Sequence, residues 1–114
     1  MYLIQFPQTS NRASWPFVGL LTDLNDVPID LTGYSMVFAI RDKDGCVRLT
    51  ASTAKGNLTI VGLGQFRWNF TLQEMQSLRR ETYDTGLTLT VPDGSQTVQL
   101  SVGPLPIIDG NVPP

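Results

Sequence analysis

Apolar and polar residues alternate with a period of two along most of this chain, in short runs broken by glycine, proline, asparagine and aspartate. The last third is clearest. Leu87, Leu89 and Val91 alternate with Thr88 and Thr90 as far as Pro92-Asp93-Gly94-Ser95, and then Val98, Leu100 and Val102 alternate with Thr97, Gln99 and Ser101. Such alternation on both sides of a Pro-Asp-Gly turn predicts a β-hairpin with one apolar face. Residues 34–41 predict another strand, with Tyr34, Met36, Phe38 and Ile40 on one side. Its other side holds Val37 and Ala39, so it is apolar on both faces and is expected at the centre of a sheet. Asp42-Lys43-Asp44-Gly45 turns the chain into a strand at 46–53, where Val47, Leu49 and Ala51 alternate with Arg48 and Thr50. Lys55-Gly56-Asn57 leads to a strand at 58–61, and Gly62-Leu63-Gly64-Gln65 to one at 66–70 that puts Phe66, Trp68 and Phe70 on one face.

The N-terminal part is less regular. Residues 14–24 read as a strand interrupted by Pro16 and Gly19, which suits a sheet edge or a bulge. Turns follow at 25–28 and 30–33. One segment is helical: Thr71-Leu72-Gln73-Glu74 fits a capping box, and Leu72, Met75 and Leu78 then share a face. A helix of about two turns is too short to stand alone, so it is expected to plug one open end of the fold. About seven or eight short strands, with turns every 8–12 residues or so, predict an all-β fold, an antiparallel β-sandwich with one short helix.

Size and composition narrow this reading. The 114 residues suffice for one domain, taken as 1–114, with extended ends at 1–8 and 104–114. Proline cannot donate to a ladder, and Pro104, Pro106, Pro113 and Pro114 therefore point to an extended C-terminus. Charged residues make up only 16% of the chain, the net charge is −2, and of the eight basic residues only Arg79 and Arg80 adjoin. Binding to nucleic acid needs a clustered basic face, so it is not expected. With one cysteine no intrachain disulfide can form, which fits folding in a reducing cytoplasm. MYLIQFPQTS lacks the pattern of a signal peptide, and no apolar run is long enough to span a membrane.

Chemistry is sparse. There is no histidine, which removes the usual general base and the commonest zinc ligand. Cys46 is read as a plain strand cysteine. Of the two glutamates, Glu74 belongs to the capping box and Glu81 ends the helical segment, while Asp23, Asp26, Asp30, Asp42 and Asp44 fall at turns, which favour aspartate. Asp42-Lys43-Asp44-Gly45 resembles the start of a calcium loop, but its twelfth position is Thr53 instead of glutamate, so it is read as a hairpin turn. Gly62-Leu63-Gly64 lacks the third glycine and the helix of a dinucleotide fingerprint. The expectation is therefore a non-enzyme with no catalytic residues, no metal and no cofactor. Trp15, Phe17, Phe66, Trp68 and Phe70 could make a carbohydrate platform, but their alternation with polar residues places them in a core, Trp15 being the most exposed.

The order of these features resembles a known family. A tryptophan-containing strand leads to Asp30-Leu31-Thr32-Gly33-Tyr34; a short helix sits between two strands; Tyr83-Asp84 runs into a strand and the Pro-Asp-Gly hairpin. Over residues 14–108 this looks like the small Ig-like β-sandwich proteins encoded in the structural gene clusters of tailed bacteriophages. It is also similar to the N-terminal domain of phage baseplate upper proteins. The resemblance implies a virion component of tail or baseplate, made in the host bacterial cytoplasm, that contacts other virion proteins in a homo-oligomer or a heteromeric assembly. Alternatives are a surface module binding carbohydrate or a receptor, and a head decoration protein. One departure from the family pattern is Gly86, where a bulge is expected. Candidate docking residues are Tyr2, Leu3, Ile4, Phe6 and Trp15 toward the N-terminus and Pro104, Pro106, Ile107 and Ile108 toward the C-terminus. For the N-terminal residues two expectations stand side by side: docking on a neighbouring subunit, or forming the first strand of this same domain.

Overall fold

A computed structural model describes residues 2–3, 6, 8–22 and 25–108, without the side chains of Tyr2 and Leu3. Nine strands and one helix follow in the order β1 (Tyr2–Leu3), β2 (Thr9–Ser10), β3 (Trp15–Leu20), β4 (Ser35–Arg41), β5 (Val47–Ser52), β6 (Leu58–Gly62), β7 (Gln65–Phe70), α1 (Leu72–Gln76), β8 (Thr82–Thr90) and β9 (Thr97–Ile108). They make a β-sandwich. One sheet runs β1-β9-β8-β4-β5, with β2 also on β9, and the other runs β3-β7-β6. All pairings are antiparallel except those of β1 and β2, which run parallel to β9.

The alternating residues build the core as the sequence expects. Met36, Phe38 and Ile40 of β4 are buried, and so are Phe66, Trp68 and Phe70 of β7, from opposite sheets. Strand β4 is central, paired to β5 on one side and β8 on the other. Trp68 is the middle of an aromatic stack: Phe17 lies 4.3 Å from its ring and Phe38 4.0 Å, each nearly parallel to it. Asn57 fixes the passage of the chain from one sheet to the other, since its side-chain oxygen accepts from Ser52 N–H at 2.9 Å and its amide donates to Thr50 C=O at 3.1 Å.

The helix carries the expected capping box, with Thr71 N–H donating to Glu74 Oε1 at 3.0 Å and Glu74 N–H to Thr71 Oγ1 at 3.2 Å. Met75 and Leu78 are buried, but Leu72 is 43% exposed and does not share their face. Beyond the helix, Arg79 N–H donates to the phenol oxygen of the buried Tyr83 at 2.8 Å, which pins the corner leading into β8. Burial raises the Tyr83 pKa, so the phenol stays protonated at neutral pH.

Three expectations about the C-terminal hairpin change. The bulge does not fall at Gly86, which pairs regularly with Val102; the register shifts between Leu87 and Thr88, leaving Leu100 of β9 as the extra residue. Beyond that bulge the face of β9 inverts. Ser101, Leu105 and Ile107 point inward and Val98 is half exposed, so Val98, Leu100 and Val102 do not form one apolar face. Finally, residues 104–108 are not a free end but the last part of β9, with Pro104 opposite Asp84 and Pro106 opposite Thr82. The prolines are tolerated because of the side they present. Pro104 C=O accepts from Phe6 N–H at 3.3 Å, while Ile107 N–H donates the other way, to Glu81 C=O, at 2.9 Å. The two missing N–H groups thus face the N-terminal segment, the side on which β1 and β2 lie.

Two glycines are required by close approach. At Gly64, φ is +70° and an added Cβ would lie 2.5 Å from the Leu21 carbonyl oxygen. At Gly19 of β3 the ring of Phe66 lies across the backbone, and a Cβ would come within 2.3 Å of it. Gly19→Ala is therefore expected to push Phe66 out of its site and cost about 1–3 kcal/mol, read as a lower midpoint in urea unfolding. An unchanged midpoint would show that the ring gives way freely.

Candidate functional site

The turn aspartates act as structural caps. Asp42 is buried; its Oδ1 accepts from Asp44 N–H at 3.0 Å and Cys46 N–H at 2.9 Å, and its Oδ2 from Arg48 Nε at 2.8 Å. The Cys46 amide, with help from Arg48 and the Asp44 amide, holds this carboxyl below the usual range against the opposing effect of burial. Asp30 is lowered by the Thr32 hydroxyl and then its amide, and Asp93 by the Ser95 amide. A depressed carboxylate stabilises the fold above its unfolded pKa of about 4 and loses that contribution as pH falls through the folded value. Thermal melts should accordingly hold steady near neutrality and drop below about pH 4. Asp42→Asn should start lower at neutral pH and fall less steeply; an unaltered acid slope would remove Asp42 from this account.

No aromatic platform lies on the surface formed by the five residues considered for one. Trp68, Phe66 and Phe70 are core residues, Phe17 stacks on Trp68, and Trp15 is half buried with its ring 5.9 Å from Phe70 and nearly parallel to it. Cys46 is exposed beside the Asp42 turn. A polar hollow of about 340 Å³ near that turn holds Asp42, Asp44, Arg48, Arg79 and Glu81, but Asp42 and Arg48 already pair within it.

The candidate docking residues separate. Tyr2 and Leu3 pair along β9, while Ile4 and the side chains of Tyr2 and Leu3 lie outside the described residues. Phe6 is 6% exposed and packs edge-on against Trp15, Phe17 and Phe38 in this domain's own core. Ile107 is likewise a core residue, Pro104 and Pro106 are half buried within β9, and Ile108 is exposed. The N-terminal segment thus follows the second of its two expectations at Phe6.

Surface features that the sequence reading passed over gather on the smaller sheet. Among the described residues strand β3 is one of its edges, paired only with β7 from Trp15↔Phe70 to Leu20↔Gln65. Leu21 N–H donates to Gly64 C=O at 2.7 Å in the same register. Hydrogen-bonded and non-bonded pairs alternate in an antiparallel ladder. Trp15, Phe17 and Gly19 therefore turn their backbone groups to β7, and Pro16, Val18 and Leu20 turn theirs to the open edge. The same residues expose their side chains, Val18 at 68% and Leu20 at 55%. Beside them runs a groove of about 630 Å³ whose lining includes Pro16, Val18, Thr59, Arg67, Asn69 and Glu74, the last paired with Lys55 at 3.7 Å. Arg67 sits across from both Val18 and Thr59 and pairs with no carboxylate among the described residues. The signal for this in the sequence was a strand apolar on both faces although it contains Pro16.

At one end of the sandwich three connections meet. Gly33 packs on Pro92, and Gly64 on Leu21 and Pro28, so the β3–β4, β6–β7 and β8–β9 loops adjoin there, with Val27 and Leu63 exposed. No protein-family model matches the chain, and no curated protein sequence matches it.

Proposed function

We propose that this chain is an immunoglobulin-like domain serving as a structural component of a tailed bacteriophage particle, in tail or baseplate, through protein–protein contacts and without catalysis. Three features support the immunoglobulin-like reading. The sheet β9-β8-β4-β5 facing β3-β7-β6 follows the GFCC′ and BED order of variable-type domains. Tyr83, at the start of β8, accepts a backbone hydrogen bond from Arg79 as a tyrosine corner does. The helix lies at the same corner. In place of an inter-sheet disulfide the stack of Phe17, Trp68 and Phe38 ties the two sheets together.

The contact role rests on one observation, the open β3 edge with Val18 and Leu20 exposed. The phage setting rests on the order of motifs from Asp30-Leu31-Thr32-Gly33-Tyr34 to the Pro-Asp-Gly hairpin. Density-gradient purification of particles, with tails separated from heads, tests it by quantitative mass spectrometry. The chain is expected in the tail fraction at a fixed ratio to the other tail proteins. Its absence from purified particles would reject the reading, and its presence on isolated heads would move it to head decoration.

A further inference from the structure

Edge strands invite pairing with another chain, and proteins blunt them by shortness, charge, bulges or proline. The edges of this sandwich differ sharply in that respect. Among the described residues, strands β1 and β2 have two residues each. Strand β5 carries Arg48 at its exposed edge, and its pairing with β4 shifts register near Arg41. Strand β6 shifts register between Ile60 and Gly62. Strand β3 runs six residues in unbroken register with no charged side chain, and its one guard, Pro16, stands near the start.

We infer that β3 is a docking edge for an extended segment of a different protein, and that this segment carries a carboxylate that pairs with Arg67. The inference rests on the reading of the chain as a protein-binding domain and narrows that reading to one edge and one partner chemistry. Main-chain bonds would come from Val18 and Leu20, each offering an N–H and a C=O, with the Pro16 carbonyl as one further acceptor. The side chain opposite Val18 on the arriving strand falls on the same face as Val18 and Arg67. Strands are spaced by about 4.8 Å, so that residue stands about 10 Å from the Arg67 backbone, within the joint reach of an arginine and a glutamate across the short Val18 side chain. A guanidinium with no carboxylate partner among the described residues, set beside the exposed Val18 and a groove, suits a planar carboxylate.

A second copy of this chain fits less well. Symmetric antiparallel pairing centred on Val18 sets Pro16 opposite Leu20 twice, and proline has no N–H to offer either carbonyl. The same symmetry brings two Arg67 side chains toward one axis, where like charges repel.

Selection of short random peptides displayed on yeast against the full chain tests this. Enriched peptides are expected to alternate apolar and polar residues around one Glu or Asp, and to shift the amide resonances of Val18 and Leu20. Selection against Arg67→Glu should replace that acid by Lys or Arg. Val18→Pro removes an N–H that bonds to nothing in β7, so its melting temperature should stay near wild type while affinity for the selected peptides falls by about tenfold or more. No enrichment, peptides that shift amides elsewhere, the same acidic peptides on Arg67→Glu, or dimerisation through β3 would each overturn the inference. Comigration with particles is a separate readout: a chain found on tails whose β3 takes no peptide rejects this inference and leaves the wider reading standing.

Discussion

Trp68→Ala is expected to cost about 3–5 kcal/mol, a large part of the roughly 5–15 kcal/mol that holds a domain of this kind together, and to leave much of the chain unfolded at physiological temperature. The reason is its position. Trp68 comes from β7 and stacks between Phe17 of β3 and Phe38 of β4, so it joins neighbours within its own sheet to the facing one. With no disulfide to hold the sheets, removing the indole opens a cavity that backbone relaxation cannot close. Trp68→Phe should be far milder. The indole Nε1 is buried without a hydrogen-bond partner, so the smaller ring relieves an unsatisfied donor while keeping most of the contact. Urea unfolding followed by far-ultraviolet circular dichroism distinguishes the two; equal losses for both variants would mean that packing at this ring is not what joins the sheets.

Phe6→Ala is expected to lower stability by a similar amount, about 3–5 kcal/mol, and deletion of residues 1–8 by at least as much. Phe6 is 6% exposed, sits edge-on to Trp15, Phe17, Phe38 and Trp68, and donates its amide to Pro104. Edge-to-face contacts add to the area it buries. The same experiment separates the two roles of the N-terminal segment. A residue that served only to dock a neighbour would leave the isolated chain as stable as before when truncated, so an unchanged unfolding midpoint for Phe6→Ala would contradict its placement in the core.

Much of the sandwich could be read from single residues because local chemistry and global fold agree there. Met36, Phe38 and Ile40 alternate cleanly, Gly45 and Gly94 stand at tight turns, and Thr71 and Glu74 close the capping box. The errors lie where a strand changes face or where one side of the backbone differs from the other. Leu100 is apolar and in phase with Val98 and Val102, so nothing in the residue pattern reveals that it is the bulge and that Ser101 turns inward. Prolines 104 and 106 read as the end of pairing because sequence does not tell which side of a strand lacks its donor. Buried Thr85, whose hydroxyl donates to Gly103 C=O at 2.8 Å, hid the first half of β8 in the same way.

The proposed docking edge was legible only in part. Trp15 was singled out as exposed but is drawn inward by Phe70, whereas Val18 and Leu20 were passed over although they occupy the outward positions of the same strand. An alternation apolar in both phases says that both faces are to be covered, and in β3 only one face has a cover within the described residues. Arg67 could not be singled out from sequence at all, because its lack of a carboxylate partner among the described residues depends on Val18 and Thr59 being its cross-strand neighbours.

The central claim is that this domain works by contact with another protein of a particle through β3. A photo-crosslinking amino acid placed at Val18, with a matched one at Thr50 on β5, tests it most directly in purified particles. The account predicts covalent attachment of one identified particle protein from position 18 and little from position 50. Attachment from position 50 alone, or none from position 18 in particles that contain the chain, would contradict it.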